Sequence, residues 1–195
     1  MDPTVILSTF GLIFVAELGD KSQLTAMALA ARYPWRRVFL GAACAFVVLN
    51  VAAVGIGRVL FELLPLHWIQ LAAGLLFLYF GASTLRHPED EEQGTEPRAE
   101  LRGPATTTFL LILVGEIGDK TQLATAGLAA QHAAPGSVFV GSTLALWAVS
   151  LLGVLVGGQI TRVLPIRIIH RIAGLLFLVF GAAILYQAWR NHAGA

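Results

Sequence analysis

The residues of this 195-residue chain that could do chemistry lie in one charged octapeptide that occurs twice within apolar sequence, ELGDKSQL at Glu17 to Leu24 and EIGDKTQL at Glu116 to Leu123. On a continuous helix the Glu, Asp and Lys of each motif fall at i, i+3 and i+4 and share a face, which the glutamine three residues after the aspartate flanks. Two such faces meeting would offer the carboxylates of Glu17, Asp20, Glu116 and Asp119 and the amides of Gln23 and Gln122. All six are oxygen donors, the ligands preferred by hard divalent ions such as Ca²⁺, Mg²⁺ and Mn²⁺, whereas Zn²⁺ and Cu⁺ sites recruit His or Cys. Four ionised carboxylates with Lys21 and Lys120 sum to −2, which one divalent cation neutralises. With no metal bound, crowded like charges in a low dielectric favour proton uptake, a physical route to exchanging metal for H⁺; Na⁺ could play the same part.

The competing reading is structural. Glu17 with Lys21, and Glu116 with Lys120, are i, i+4 pairs in the favourable order and would serve as buried salt bridges that orient helices. That reading gives no role to the aspartates or to the recurring glutamines. The two lysines, the only ones in the chain, are expected to be internal counter-charges rather than ligands.

The setting of the motifs explains why they matter. The chain is 56% hydrophobic and only 13% charged, which places it in the membrane class, and the motif charges are the only ones deep within apolar runs. At about 3 kcal/mol per charge near a helix centre, six such residues facing lipid would cost on the order of 18 kcal/mol. They must line a cavity, pair or bind an ion.

Apolar runs between prolines predict an all-α integral membrane protein with spans near 4–31, 38–62, 66–86, 105–131, 137–161 and 166–188. No soluble domain fits, and the lipid bilayer rather than nucleic acid is the expected surroundings. The chain opens MDPTVIL without a basic n-region, so its first span is expected to be a retained helix. Cys44 is the single cysteine, which excludes an internal disulfide, a CxxC pair and a thiolate cluster and suits a small packing residue. His67, His87, His132, His170 and His192 fall in loops or near span ends.

The motifs stand 99 residues apart, and AGLLFLYFGA at Ala73 to Ala82 returns as AGLLFLVFGA at Ala173 to Ala182. The chain is a duplicated three-helix unit. Three is odd, so the copies should cross the membrane in opposite directions, giving two inverted-topology three-helix repeats, residues 1–86 and 105–195, with the substrate site near the midplane at their interface. Asn50 and Ser150, at matching mid-span positions, are candidate extra ligands or interhelical hydrogen-bonding groups. Gly19 and Gly118 mark places where the long first and fourth spans could break; the alternative is an intact tilted helix. Gly74, Gly81, Gly174 and Gly181, and the GxxxG of Gly153 and Gly157, suit helix packing, including a homo-oligomer formed through these faces. Loop arginines, including Arg32, Arg36, Arg37, Arg98 and Arg102, place those loops in the cytoplasm and both termini outside.

Paired E-x-G-D-K/R-S/T motifs, one opening each three-helix half around an acidic central loop, resemble the Gdt family of membrane cation transporters, and the chain looks like a bacterial member of the MneA type. The match is without departure over Glu17 to Ser22 and Glu116 to Thr121. The resemblance implies export of Mn²⁺, or of Ca²⁺ as in some eukaryotic members, by secondary antiport in a bacterial inner membrane. The motif acids would form the cation site, with the metal as cargo and no cofactor or enzymatic activity. Two alternatives compete: a membrane-embedded lipid pyrophosphate hydrolase, which would need an arginine clamp that the motifs lack, and an exporter of small organic cations or amino acids.

Segment 87–104 reads as an acidic cytoplasmic linker. Deleting Glu89 to Glu92 is expected to leave transport nearly intact; a large loss at normal protein levels would give the acidic run a direct role.

Overall fold

A computed structural model of the chain describes residues 1–86, 103–132, 134–156 and 166–193, and every element in them is helical. Eight helices follow in chain order: α1 (Pro3–Glu17), α2 (Lys21–Ala30), α3 (Trp35–Leu63), α4 (Leu66–Arg86), α5 (Pro104–Glu116), α6 (Lys120–Gln131), α7 (Pro135–Val156) and α8 (Ile166–Ala193). The charged linker lies almost wholly outside the described residues, as does Gly157 of the GxxxG.

Local sequence sets these borders. Asp2 caps α1 by accepting from Thr4 N–H at 2.8 Å, with Pro3 in the first turn where its missing donor costs nothing. Pro34, Pro65, Pro104 and Pro135 stand at or next to the starts of α3, α4, α5 and α7. Among the described residues α3, α4, α7 and α8 are each long and apolar enough to cross a membrane, and α1 with α2 makes a fifth candidate bent by 69° at its break. Of the two alternatives for the first span over 4–31, an intact tilted helix and a break at Gly19, the structure has the break: the span is two helices. The same holds over 105–131, where α5 and α6 meet at an equivalent break. Gly19 at φ +82° and Gly118 at φ +79° carry the chain through conformations that side-chain-bearing residues avoid. Thus Glu, Asp and Lys of each motif do not share one continuous helix face.

Packing is reciprocal between the halves. α1 lies against α7, and α5 against α3. These contacts are close enough that a Cβ at Gly41 would run into the Ala105 carbonyl oxygen, and one at Gly141 would stand 2.6 Å from that of Ile6. The repeated VFLG and VFVG segments supply these glycines. α3 and α7 are joined by Trp147 Nε1 donating to the Ala43 carbonyl at 3.2 Å and Asn50 Nδ2 donating to Thr143 Oγ1 at 2.9 Å. The core runs from Ile13 and Phe46 through Ile112 to Phe77 and Phe177, whose rings meet edge to face at 5.7 Å.

The outer surface is apolar along the helices, with Leu40, Val51, Leu75 and Val179 all exposed, as a lipid-facing belt requires. Trp68, Tyr186 and Trp189 are exposed near helix ends. Cys44 belongs to this outer face, so it is not the packing residue expected of it. Gly74, Gly81, Gly174 and Gly181 are spent inside the chain, between α4 and α8, rather than on a face open to another copy.

Gly41→Ala is expected to lower stability by about 1–3 kcal/mol, because backbone must move to admit the methyl group. Gly11→Ala, where a Cβ meets nothing within 4 Å, is the matched control and should be neutral or stabilising. Thermal unfolding of both variants in detergent checks this.

Candidate metal site at the two helix breaks

The two breaks bring the motifs together. α1 and α5 end on Glu17 and Glu116, and α2 and α6 begin with Asp20 and Asp119 as their N-cap residues. A helix C-terminus presents carbonyl oxygens and partial negative charge, and an N-terminus presents N–H groups and partial positive charge. The glutamates thus stand where a cation is favoured, and the aspartates where carboxylates are held by the following helix. Asp20 does so directly, Oδ1 accepting from Lys21 N–H at 2.8 Å.

Carboxylate oxygens of Glu17, Asp20 and Asp119 lie within 4.8 Å of one another, two from the first motif and one from the second. Oxygens on opposite sides of a Ca²⁺ bound at 2.3–2.6 Å stand about 5 Å apart, so a hard divalent ion fits among the three. Glu17 is fully buried, Asp20 and Glu116 nearly so, and Asp119 half-buried. Glu116 lies close enough to interact electrostatically with Glu17, Asp20, Asp119 and Lys21. It lines two small crevices, one with Asn50, Thr121 and Gln122, the other with Lys21, Ser22 and Thr25.

Glu17 Oε1 and Asp119 Oδ2 have no hydrogen-bond donor among the described residues. Buried acceptors are nearly always satisfied, so such oxygens call for a ligand or a proton. For Glu17 the other oxygen accepts from Ser22 Oγ at 3.0 Å, and the Thr121 side chain of the second motif hydrogen-bonds the same carboxylate. Glu17 is therefore not neutralised by a helical i, i+4 bond to Lys21. Ser22 and Thr121 drew no role of their own from the sequence; their signal was a hydroxyl following lysine in both motifs.

The glutamines have a definite partner. Gln23 Oε1 accepts from Gly19 N–H, and Gln122 Oε1 from Gly118 N–H, both at 2.6 Å. Each break frees backbone donors, and the amide oxygen four residues on takes one of them. A carbonyl oxygen has two lone pairs, so this bond leaves each glutamine able to face a cation as well. Gln23 Nε2 also reaches the Val149 carbonyl at 3.4 Å. Asn50 is buried and bonded to Thr143, and Ser150 is buried on α7.

The profile of the GDT1 family, described as "Divalent cation/proton antiporter GDT1", matches residues 5–92 and 104–192. The chain belongs to the GDT1 family. That family consists of transporters rather than enzymes, which removes the hydrolase alternative, and makes this a membrane protein of the cation antiporter class. Among its relatives, a chloroplast protein of Arabidopsis thaliana, PAM71, is 34% identical over 92% of this chain and 56% of its own length. A GDT1-like protein of Synechocystis is 33% identical over 87% of this chain and 90% of its own. A protein of Vibrio cholerae named "Putative manganese exporter" is 31% identical over 94% and 91%. No solved structure matches the chain.

Gly118→Ala is expected to cost roughly 1–2 kcal/mol from the left-handed conformation alone, since the added carbon meets nothing. Gly115→Ala, equally open but helical, should cost nothing. Equal unfolding temperatures for the two variants would refute the strained break.

Proposed function

We propose that this chain is a secondary-active exporter of a divalent cation, Mn²⁺ in the first place and Ca²⁺ in the second, in exchange for H⁺ or Na⁺. The observation that carries this reading is the convergence of Glu17, Asp20 and Asp119, drawn from both motifs, on one buried volume with two unsatisfied carboxylate oxygens. Glu116 completes the acidic set, and the Gln23 and Gln122 amides and the Asn50 and Ser150 groups border it. Lys21 and Lys120 balance the carboxylates when the metal has left. A cation entering displaces protons from the acids; protons entering release the cation.

The reading places the site at the midplane of six spans, α1–α2 and α5–α6 each counting as one broken span, arranged as two inverted three-helix repeats. Residues 1–86 and 105–195 are the halves, joined by a cytoplasmic linker, with both termini outside a bacterial inner membrane. The breaks in equivalent motifs and the reciprocal packing of α1 on α7 and α5 on α3 support it. Mn²⁺ rests on the named Vibrio relative, and H⁺ on the family description. The monomer already contains both motifs, so no second copy is needed to complete the site.

The test is uptake of Mn²⁺ and Ca²⁺ into proteoliposomes with an internal pH reporter. Metal flux with opposing proton movement, reduced at least about a hundredfold in Asp20→Asn and in Asp119→Asn, is the expected result, since each removes a charged ligand from a shared site. Flux without proton movement points to Na⁺. Unchanged flux in either variant overturns the shared site.

A further inference from the structure

The halves match in sequence but not in burial. Val114 and Ile117 on one side of the second break are 71% and 65% exposed, whereas their counterparts Val15 and Leu18 are half-buried. Farther along the second helices the order reverses: past Leu24 and Leu123, Ala28 on α2 is exposed, and its counterpart Gly127 on α6 is partly covered. The covering element is the α4–α8 pair. α4 lies on α6 and α8 on α1, while the counterparts of those contacts, α8 on α2 and α4 on α5, are nearly absent among the described residues.

That pair is built to move as one body. Its helices run antiparallel with reciprocal glycines, Gly74 against Gly181 and Gly81 against Gly174, and none of the four positions has room for a Cβ. The segments that face the bundle, AGLLFLYFGA and AGLLFLVFGA, are the same but for one residue. Turned about the axis relating the repeats, the pair presents nearly the same surface.

We propose that the α4–α8 pair is the moving element of transport: docked on α1 and α6 it closes one end of the carboxylate site, and it alternates with a second docking, on α2 and α5, that closes the other. This rests on the inverted-repeat reading above, in which α1 and α6 occupy the membrane half nearer the termini and α2 and α5 the opposite half. In the arrangement seen here the terminal end is shut. The crevice lined by Lys21, Ser22, Thr25, Leu111, Gly115 and Glu116, between α2 and α5, is then the opening toward the other side. The near-identical segments that the moving pair presents favour two states of similar energy, which is what lets a bound cation or proton tip the balance. In the second docking Ala28 faces Ala173 and Phe177, as Gly127 now faces Ala73 and Phe77.

Two cysteine pairs in a Cys44→Ala background test this. A Cβ at Gly127 would stand 3.7 Å from that of Ala73, within the span a disulfide bridges, so Ala73→Cys with Gly127→Cys is expected to cross-link readily. The counterpart pair, Ala173→Cys with Ala28→Cys, is expected to cross-link as well in membranes, although α2 and α8 barely meet here. Either cross-link should cut Mn²⁺ flux at least about tenfold, and reductant should restore it. Failure of the Ala28–Ala173 pair to cross-link, or unchanged flux in protein cross-linked at Ala73–Gly127, overturns the proposal. Cross-linking is read on gels without any transport, so if the Cys44→Ala parent moves no divalent cation the antiporter reading fails separately, and the two yields still decide whether the pair moves.

Discussion

A carboxylate buried in low-dielectric surroundings needs a cation, a proton or a set of donors, and the structure of this chain is organised around meeting that need for four of them, Glu17, Asp20, Glu116 and Asp119. The cost of leaving such charges toward lipid is several kcal/mol each. Turning them inward is served by helices that stop inside the bundle, because a helix passing straight through would carry its motif past the site without offering its ends. The breaks after Glu17 and Glu116 supply those ends. Two helix C-termini and two N-termini then surround one small volume, and the dipoles suit both the ion and the carboxylates that hold it.

Breaking a helix in a low dielectric frees backbone groups that must be paired again. The motif contains its own repair. Glycine turns the chain at positive φ, aspartate caps the next helix, and glutamine takes the glycine N–H. Serine ties the glutamate to the far side of the break in the first motif, and the threonine of the second motif reaches across to that same glutamate. The glycine, aspartate, hydroxyl residue and glutamine of the octapeptide thus have structural tasks, and Glu17 and Asp119 retain oxygens with no donor among the described residues. Those oxygens are what the proposed cation site rests on, since a joint built only for stability would have satisfied them.

The glycines away from the motif serve the same end. Close approach of α3 to α5 and of α7 to α1 fixes the outer ends of the broken helices, so the tips at the centre stay in register. Close approach of α4 to α8 makes a rigid plate that lies over only part of this frame. Fixed and movable parts are therefore built from the same device, small residues at helix crossings, and differ in how much of their surface is matched on both sides.

Much was legible in the chain itself. Charged residues within apolar runs are rare enough to be a signal, and a motif written twice at constant spacing places both copies at equivalent points of a repeat; the all-helical class and most helix borders followed from hydropathy and proline. What the sequence left open was conformation and partnership. Glycine within ELGD is compatible with a straight helix, in which Glu17 and Lys21 pair, and only the tertiary setting decides for the break. An amide oxygen looks the same whether it is to bind metal or cap a backbone, so the sequence offers Gln23 and Gln122 as ligands and gives no sign of their bonds to Gly19 and Gly118. Cys44 was small and apolar, yet faces outward, because periodicity on an all-apolar helix does not say which side is inside. The unequal burial of Val15 and Val114, identical residues in nearly identical neighbourhoods, is beyond any reading of sequence. The sequence determined by itself that charge lies deep within apolar segments in two copies, because transfer energies are local; which surfaces cover that charge was decided only by the tertiary structure, because packing is a choice among neighbours that the repeat makes nearly equivalent.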